Sequence, residues 1–285
     1  VLNNNPTEKV AVALGRHRKT GEDAVVILNR HGFEEDAIAD ELNLSGIKEI
    51  FHNSRFSRHQ GTSPCKLTIE VICPAMGKDI LKYSPQEWYV LRETPAIYQA
   101  ITKPMVDAIP EADIQWVYNI LDGKKEQDQV HLKTEEFLCL VDYKWQDKSD
   151  PKGLHLLSLV RERKTLRSIR DLEGGKHLKM LKTMKASILL EINKRYHIPA
   201  SQVLCYFHYY PTFWHAHVHF THISGPSFGS THAVGKAILL DDVIDNLTMD
   251  PKYYQKASIT LRLSAVKHSK ALEEAVKLNA LSLHA

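Results

Sequence analysis

The sequence predicts an α+β protein built of two parts. Short segments in which apolar and polar residues alternate, such as Cys65–Ile72, are typical of half-buried β-strands. A longer segment, Lys176–Tyr196, repeats its apolar residues at helical spacing and predicts an amphipathic helix. Pro95, Pro104 and Pro110 interrupt regular structure between these regions, which places a hinge there.

The first part, residues 1–80, is predicted to be a small α+β domain. Lys9–Leu14 and Ala24–Leu28 are apolar and rich in valine, and the polar segment between them suits a hairpin connection. Apolar residues at helical spacing over residues 33–42 predict a helix. Cys65–Ile72 then supplies a further strand, so a sheet and one helix are expected in this domain.

Residues 81–110 are predicted to form the hinge and a linking helix. Ser84 can cap the N-terminus of a helix, Pro85 suits its first turn, and Glu87 stands where a capping box requires an acidic residue. The helix is expected to continue to Thr94.

Residues 111–285 are predicted to form a second domain, in which helices pack on an antiparallel sheet. The expected strands are Ile114–Leu121, Glu136–Val141, Gln202–Tyr210, His215–Ile223 and Ser258–Leu263. The expected helices are Leu154–Arg163, Lys176–Tyr196 and Ala233–Asn246.

Composition narrows the classes of function. The chain is 43% hydrophobic and 25% charged, as in ordinary globular proteins, and its formal charge is +3. This small excess permits a phosphate-bearing ligand but does not predict a long nucleic-acid footprint. No apolar run approaches the length of about 18 residues that a membrane span needs, and no leader is visible, so no membrane partner is expected. The four cysteines are far apart, which favours a reducing compartment, and the start at Val1 is expected of a fragment or processed form.

Histidine is the residue type that stands out. There are 16 histidines, and six of them lie within residues 208–232. His215, His217 and His219 occupy alternate positions, with Ala216 and Val218 between them. On a strand, alternate side chains share one face, so these three imidazoles form a polar row that is costly to bury without partners.

Two chemistries fit this row. The first is a metal site, because His-x-His on a strand can chelate zinc, with His222, Asp241 or Asp242 as candidates for a further ligand. The second is nucleophilic catalysis, in which the central imidazole attacks phosphorus while its neighbours hold phosphate oxygens and the tautomer. The row by itself gives both chemistries similar weight.

The residues around the row favour the second chemistry. Residues 208–220 resemble the histidine triad motif, in which three histidines alternate with apolar residues. They are similar in particular to the scavenger mRNA-decapping enzymes, where a His-Tyr-x-Pro-Ser-Tyr-Tyr run leads into the triad. Further stretches resemble that family in the same order, namely Gly21–Leu28, Leu91–Thr94, Gln115–Leu121, Asp142–Trp145, Ile169–Leu172 and Gly235–Asp242.

The resemblance implies a C-terminal histidine-triad domain that hydrolyses the 7-methylguanosine cap dinucleotide and short capped RNA fragments. The products are 7-methylguanosine monophosphate and a nucleoside diphosphate or a shortened RNA. His217 matches the nucleophile, which forms a nucleotidyl-histidine that water resolves, and His215 and His219 would orient it and hold phosphate oxygens. His208 matches an additional active-site histidine, and Lys144 matches the cation. No metal and no cofactor is implied.

The resemblance also implies how the cap is bound. Guanine methylated at N7 is cationic, so Trp116 would stack on it and Glu126 would accept hydrogen bonds from its base edge. Asp142 matches a carboxylate near the nucleoside, and Thr212 can donate a hydroxyl hydrogen bond to phosphate. The remaining substrate contacts are assigned to Phe213 and, from the first domain, to Asn53 and Phe56.

The sequence departs from the family pattern in the ligand contacts more than in the triad. Phe56 and Phe213 stand where an animal-type member carries Tyr, so a hydroxyl contact is lost while stacking is kept. Val141 replaces a Pro, Thr212 replaces a Ser, and the loop over residues 146–153 is longer.

The family further implies a homodimer whose N-terminal domains are exchanged between protomers, with the ligand in a cleft between the two domains. One site is expected to close as the other opens. The location is expected to be the cytoplasm, with the nucleus as a second one. Two other functions stay open from the sequence: hydrolysis of other dinucleoside polyphosphates by the same triad, and cap binding by a regulatory paralogue with weak turnover.

Overall fold

The computed structural model describes residues 1–5, 9–30, 45–53, 56–62, 67–85, 87–142, 144–145, 147–225, 233–266 and 268–278. The chain divides into two compact units, Val1–Glu87 and Trp88–Ala285. Each unit combines strands with helices, so the α+β class predicted from the sequence is confirmed.

The described strands of the first unit are β1 (Asn3–Asn5), β2 (Val10–Arg16), β3 (Asp23–Arg30), β4 (Ser45–Asn53), β5 (Phe56–Thr62) and β6 (Leu67–Ile72), and its described helix is α1 (Gly77–Tyr83). The strands form an antiparallel sheet in the order β1-β2-β3-β6 and a separate hairpin of β4 and β5. The predicted hairpin over residues 9–28 is confirmed, and Val12, Val25 and Ile27 form its small core. The helix predicted over residues 33–42 lies outside the described residues.

The second unit carries the remaining elements. Its strands are β7 (Trp88–Glu93), β8 (Val130–Lys133), β9 (Phe137–Val141), β10 (His155–Val160), β11 (Val203–His208), β12 (His217–His222), β13 (Ala237–Leu239) and β14 (Ile259–Ser264). Its helices are α2 (Pro95–Ile97), a π-helical turn (Tyr98–Thr102), α3 (Lys103–Asp107), α4 (Gln115–Leu121), α5 (Gly174–Tyr196), α6 (Leu240–Met249), α7 (Tyr253–Lys256) and α8 (Ser269–Lys277). Short 3₁₀ turns occupy Glu111–Ile114, Gln127–Gln129, Pro151–Gly153, Ile169–Asp171 and Ala200–Gln202.

Among the described residues, one antiparallel sheet runs in the order β13-β11-β12-β10-β9-β8, and a two-stranded ribbon pairs β7 with β14. One face of the larger sheet packs on the long helix α5 through residues such as Val218 and Phe220. The other face packs on α4 through Leu138, Leu157 and Leu159. Since α4 has only seven residues, it covers part of that face and leaves room for a site beside it.

Two predicted elements of this unit are wrong in type. Leu154–Arg163 is not a helix, because His155–Val160 forms the central strand β10. Every residue of β10 is buried, and a strand buried on both faces has a continuous apolar pattern that periodicity cannot separate from a helix. Ile114–Leu121 is not a strand, because residues 115–121 form the helix α4. Ile114, Val117, Tyr118 and Leu121 are buried at the spacing of one helical face, and Ile120 is buried beside them.

Two further boundaries also differ. Residues 84–94 do not form the predicted helix, since the Ser84 hydroxyl donates to the carbonyl of Ile80 at the end of α1 and the chain continues as β7. Burial in β7 alternates, as expected for a strand. The helix predicted over Ala233–Asn246 begins only at Leu240, because the preceding residues pair with β11 as β13.

The other predicted elements of the second unit are confirmed within a few residues, including β9, β11, β12, β14 and the long helix α5. In the part of the chain that is described, no helix is both long and apolar enough to span a membrane.

Candidate active site

A pocket of about 710 Å³ opens on the sheet face beside α4. Its walls come from α4, from the segment after it, from the ends of β9 and β11, from β12 and from the connection between β11 and β12. Nine residues predicted from the sequence line it: Trp116, Glu126, Asp142, Lys144, His208, Thr212, Phe213, His217 and His219. An apolar floor that the sequence did not predict includes Ile120, Leu140, Val141 and Leu157.

His217, the first residue of β12, is held in a defined tautomer. Its Nδ1 lies 2.6 Å from the backbone carbonyl oxygen of His215, and a carbonyl can only accept, so the Nδ1–H donates. The Nε2 of His217 therefore carries a lone pair, and no described residue hydrogen-bonds to it. The Phe213 ring stacks on the imidazole at 4.1 Å between centroids and 15° between planes, which fixes its orientation.

Burial lowers the pKa of His217 from its ordinary 6.5 to about 4, and the nearby His215 and Lys144 contribute in the same direction. The imidazole is thus neutral at pH 7, and a neutral imidazole is the nucleophilic form. Tautomer, orientation and charge state together present one reactive nitrogen to the pocket.

His219 stands two residues further along β12 and is 4% exposed. Its Nδ1 lies 3.2 Å from the Nε2 of His155, and its ring lies against those of Tyr206 and His208. Its buried Nε2 has no hydrogen-bond partner among the described residues. Burial holds the pKa of His219 well below its ordinary value, so this imidazole is also neutral.

His215 does not line the pocket. It precedes β12, its Nε2 lies 2.7 Å from the carbonyl oxygen of Val160, and the ring of Tyr118 from α4 packs edge-on against it. The expected row of three imidazoles is therefore covered by α4 at one end. What His215 does supply is the carbonyl that accepts the Nδ1–H of His217.

Asp142 and Lys144 follow β9 on the opposite wall. Asp142 is 8% exposed, and its Oδ1 accepts the backbone N–H of Lys144 at 3.0 Å. Its Oδ2 lies 3.9 Å from the Lys144 Nζ and 3.6 Å from the Nε2 of His155. A partly exposed ammonium group thus stands beside the histidines, where it can face an anionic ligand.

His155 is the main residue that the sequence analysis missed. It is fully buried in β10 and connects Asp142 to His219. Residues 154–163 were predicted to form a helix. The sequence therefore offered no reason to place His155 on the same sheet face as the histidine row. Asp128 and Gln129 also line the pocket without having been predicted.

An aromatic corner closes another side of the pocket. Trp116 on α4 is 42% exposed, and its ring meets Phe213 edge-on at 4.8 Å. Glu126 lies in the segment after α4 in a left-handed backbone conformation, with φ of 53°, where it begins the turn Gln127–Gln129. A flat aromatic face and a carboxylate therefore border the same space as His217.

Within the described part of the chain, two sets of three donor residues lie close enough together to hold a metal ion. They are His208, His217 and His219, and Asp142, His155 and His219. The further ligands considered from the sequence belong to neither set. His222 instead accepts the N–H of Ser224 at 3.0 Å, and Asp241 pairs with Lys185 on α5.

Asn53 and Phe56 belong to the first unit, where Asn53 ends β4, Phe56 begins β5 and the two residues are register partners. Their side chains lie outside the described part of the structure, so their assignment to the cap stays a prediction.

The fold and the pocket define the second unit as a histidine triad domain, in which neighbouring histidines on one strand of an antiparallel sheet line a nucleotide-sized pocket. Comparison with known proteins identifies the family. The model described as "Scavenger mRNA decapping enzyme (DcpS) N-terminal" matches residues 1–86, and the one described as "Scavenger mRNA decapping enzyme C-term binding" matches residues 115–235. The chain belongs to the scavenger mRNA decapping enzyme family, as its sequence predicted.

Three relatives of this chain share one name. A protein of Caenorhabditis elegans named m7GpppX diphosphatase is 34% identical over 90% of this chain and 84% of its own length. Proteins of the same name from Homo sapiens and Schizosaccharomyces pombe are 35% and 30% identical, over 86% and 92% of this chain and 73% and 89% of their own lengths. Among solved structures, one described as Hnt3 in complex with DNA and guanosine matches with a TM-score of 0.34 and 11% identity, over 57% of this chain and 93% of that chain.

Proposed function

We propose that this protein is an m7GpppX diphosphatase, which hydrolyses the triphosphate bridge of the 7-methylguanosine cap dinucleotide and of short capped RNA fragments. The names of its relatives and its family support this activity. The observation that carries it in the structure is the placement of His217: its Nδ1–H is engaged by a backbone carbonyl, and it lines a pocket that also holds an aromatic face and a carboxylate.

In the first step, the lone pair on Nε2 of His217 attacks the phosphorus attached to 7-methylguanosine. A bond forms between Nε2 and phosphorus, and the bond between phosphorus and the bridging oxygen breaks, so a nucleoside diphosphate or an RNA 5′-diphosphate leaves. The imidazole becomes positively charged as it is phosphorylated. Its Nδ1–H bond to the His215 carbonyl stabilises that charge, because a charged donor makes the stronger hydrogen bond.

In the second step, water attacks the same phosphorus. The bond between phosphorus and Nε2 breaks and its electron pair returns to Nε2, which leaves His217 neutral with its proton on Nδ1. The product 7-methylguanosine monophosphate is released, and the proton lost by the attacking water passes to the solvent. A depressed pKa favours this cycle, because the imidazole returns to its nucleophilic form at neutral pH.

Lys144 offsets the negative charge of the phosphates, and the neighbouring neutral histidines donate hydrogen bonds to their oxygens. The Lys144 side chain is 26% exposed and lines the pocket, and Thr212 borders the same space with a hydroxyl group. Charge on the phosphoryl oxygens is stabilised best by donors that are already in place before the reaction. His208, whose ring lies 4.4 Å from that of His219, is assigned to the same group of donors.

Trp116 and Glu126 are assigned to the methylated base. The exposed indole face can stack on the cationic guanine, and the carboxylate can accept hydrogen bonds from its N1 and N2 edge. Asp142 is assigned to the nucleoside. Because methylation creates the positive charge, stacking and cation–π attraction make the site selective for methylated over unmethylated caps.

The test compares hydrolysis of a methylated and an unmethylated cap dinucleotide at equal concentration. We expect strong preference for the methylated one, with 7-methylguanosine monophosphate as a product. Equal rates would indicate a triad hydrolase of general dinucleoside polyphosphates, and tight binding with negligible turnover would indicate a regulatory cap-binding protein. A repeat with excess chelator is expected to leave the rate unchanged, since no step above uses a metal.

We also propose a homodimer with exchanged N-terminal domains, located in the cytoplasm and the nucleus. Both are carried over from the resemblance to the family, which also assigns Asn53 and Phe56 of the first unit to the cap. Sedimentation equilibrium should give twice the chain mass of 32.5 kDa, and a monomer at micromolar concentration would contradict the proposal.

A further inference from the structure

A buried pair of imidazoles lies under the pocket. His155 is fully buried in β10, directly beside Asp142 at the end of β9, whose backbone N–H donates to the His155 carbonyl at 2.9 Å. Two described groups lie close to its Nε2, namely the Nδ1 of His219 at 3.2 Å and the Oδ2 of Asp142 at 3.6 Å. The motif does not contain His155, and the mechanism above gives it no role.

The contact between the two imidazoles needs one proton on one of the two nitrogens. If the Nδ1 of His219 held it, the Nε2 of His155 would turn a bare lone pair toward the Asp142 carboxylate. If the Nε2 of His155 holds it, the N–H faces both an imidazole lone pair and a negative carboxylate. The second arrangement is favoured electrostatically. It places the N–H of His155 between two acceptors, whereas the first places the lone pair of His155 against the negative charge of Asp142.

The tautomer of His219 follows from this arrangement. A neutral imidazole that accepts at Nδ1 must carry its proton at Nε2. That Nε2 is buried in a residue that lines the pocket and has no acceptor among the described residues. It is therefore an N–H group without a partner until a ligand brings an oxygen.

We propose that His155, together with Asp142, is a positioning residue that fixes His219 in the Nε2–H tautomer, so that His219 donates a hydrogen bond to an oxygen of the phosphoryl group under attack. This inference rests on the proposed hydrolysis. His217 and His219 thus hold opposite tautomers two residues apart, one with a bare Nε2 as nucleophile and the other with a protonated Nε2 as donor. The His215 carbonyl and His155 are the groups that set this difference.

The kinetic test uses two variants. His155→Phe removes the donor to His219 and keeps an aromatic ring of similar size. We expect kcat for the methylated cap dinucleotide to fall about 100-fold, as when one donor to a developing oxyanion is lost, with KM nearly unchanged. His155→Gln keeps an N–H group that can reach both neighbours, and we expect it to regain most of the activity.

A matched control is His222→Gln on the same strand as His219, because His222 is buried but lines no part of the pocket. We expect its kcat to equal that of the wild type. Equal losses in His155→Gln and His155→Phe, or a loss that lies wholly in KM, would overturn the positioning role.

A second measurement does not depend on turnover. Long-range ¹H–¹⁵N correlation spectra report the tautomer of each histidine ring, and the His219 signals are assigned by their disappearance in His219→Asn. We expect the Nε2–H tautomer for His219 in the wild type and a shift toward Nδ1–H in His155→Phe. If wild-type His219 carries its proton on Nδ1, the inference fails even where hydrolysis is observed, and if hydrolysis is absent while the tautomer is as expected, the proposed function is the one that fails. Should His155→Phe not fold, the wild-type tautomer decides the question.

Discussion

Two clusters of buried polar side chains lie close together in the second unit, and they differ in how completely their hydrogen bonds are satisfied. One is centred on the ion pair of Arg170 with Glu93, both of which are shielded from solvent. The other is the group of histidines beneath the pocket. Adjacent residues contribute to both, since His208 lines the pocket and Tyr209 donates its hydroxyl to Glu93 at 2.5 Å.

The first cluster is saturated. The five N–H groups of the Arg170 guanidinium reach the Glu93 carboxylate and carbonyl, the Tyr209 hydroxyl and the carbonyls of Tyr254 and Ala257. The second oxygen of Glu93 accepts from the hydroxyls of Thr102 and Tyr210. A buried charge pair with every group satisfied connects β7, the 3₁₀ turn Ile169–Asp171 and the end of β11, but has nothing left to offer a ligand.

In the histidine cluster, the described hydrogen bonds of His217 and His219 lie on one side of each ring. Its internal bonds fix the Nδ1 atoms of His217 and His219, and no described residue bonds to their Nε2 atoms. Buried polar groups without partners destabilise a fold. The buried charges of Arg170 and Glu93 are fully paired and stabilise the scaffold, whereas the Nε2 of His219 is buried without a described partner in a residue that lines the pocket.

The largest effect should come from removing the nucleophile in the incomplete cluster. His217→Asn keeps a polar side chain of similar reach but has no imidazole to attack phosphorus. We expect turnover of a methylated cap dinucleotide to fall on the order of 10⁶-fold, as when a catalytic nucleophile is removed, while binding by calorimetry is retained. Substantial residual hydrolysis would assign the nucleophile elsewhere.

The next largest effect is a loss of stability when the saturated cluster of Arg170 and Glu93 is broken. Arg170→Met leaves the Glu93 carboxylate buried and unpaired, and we expect the free energy of unfolding in urea to fall by about 3–5 kcal/mol. The control is Lys103→Met, which breaks an exposed pair with Asp107 and should cost no more than about 1 kcal/mol. Similar losses in the two variants would show that saturation of the buried cluster does not stabilise the fold.

A smaller effect is expected at the aromatic side of the pocket. Trp116→Leu should weaken binding of the methylated cap dinucleotide by about 1–3 kcal/mol, with less effect on the unmethylated one, because stacking and cation–π attraction are lost. Trp88→Leu is the matched control, since that indole is exposed to a similar extent, 44% against 42%, but packs on Arg262 outside the pocket. Calorimetry in the His217→Asn background measures both, and equal losses would remove Trp116 from the cap site.

The smallest effect is a displaced pH profile. Because the pKa of His217 is lowered to about 4, the acid limb of kcat/KM should lie near pH 4 and not near the ordinary 6.5. The same shift acts on stability: between pH 6.5 and 4 the unfolded imidazole takes up a proton that the folded one does not, so the free energy of unfolding falls as the pH falls. Reaction rates and circular dichroism recorded together from pH 4 to 8 separate the effect on catalysis from the effect on stability. An acid limb of kcat/KM near pH 6.5 in fully folded protein would contradict the depressed pKa.

Much of the site could be predicted because its residues lie in a local pattern. The alternation from His215 to His219 defines a strand face, and nine predicted residues do line one pocket. The long helix α5 was predicted because one face of it repeats apolar residues at helical spacing. His155 was missed because β10 is buried on both faces, so its apolar run has no period that marks a strand. The helix α4 was misread for the related reason that short apolar runs fit either element.

The sequence by itself determined the fold class, the family and the strand that carries the histidine row, because these follow from periodicity and from motifs of adjacent residues. Only the tertiary structure decided how each imidazole is hydrogen-bonded and which of them line the pocket. The carbonyl of His215, the coverage by α4 and the contact with His155 come from backbone and from distant strands. The tautomer of a histidine depends on its neighbours in space. The difference in hydrogen bonding between His217 and His219 therefore cannot be predicted from a motif in which both are simply histidines.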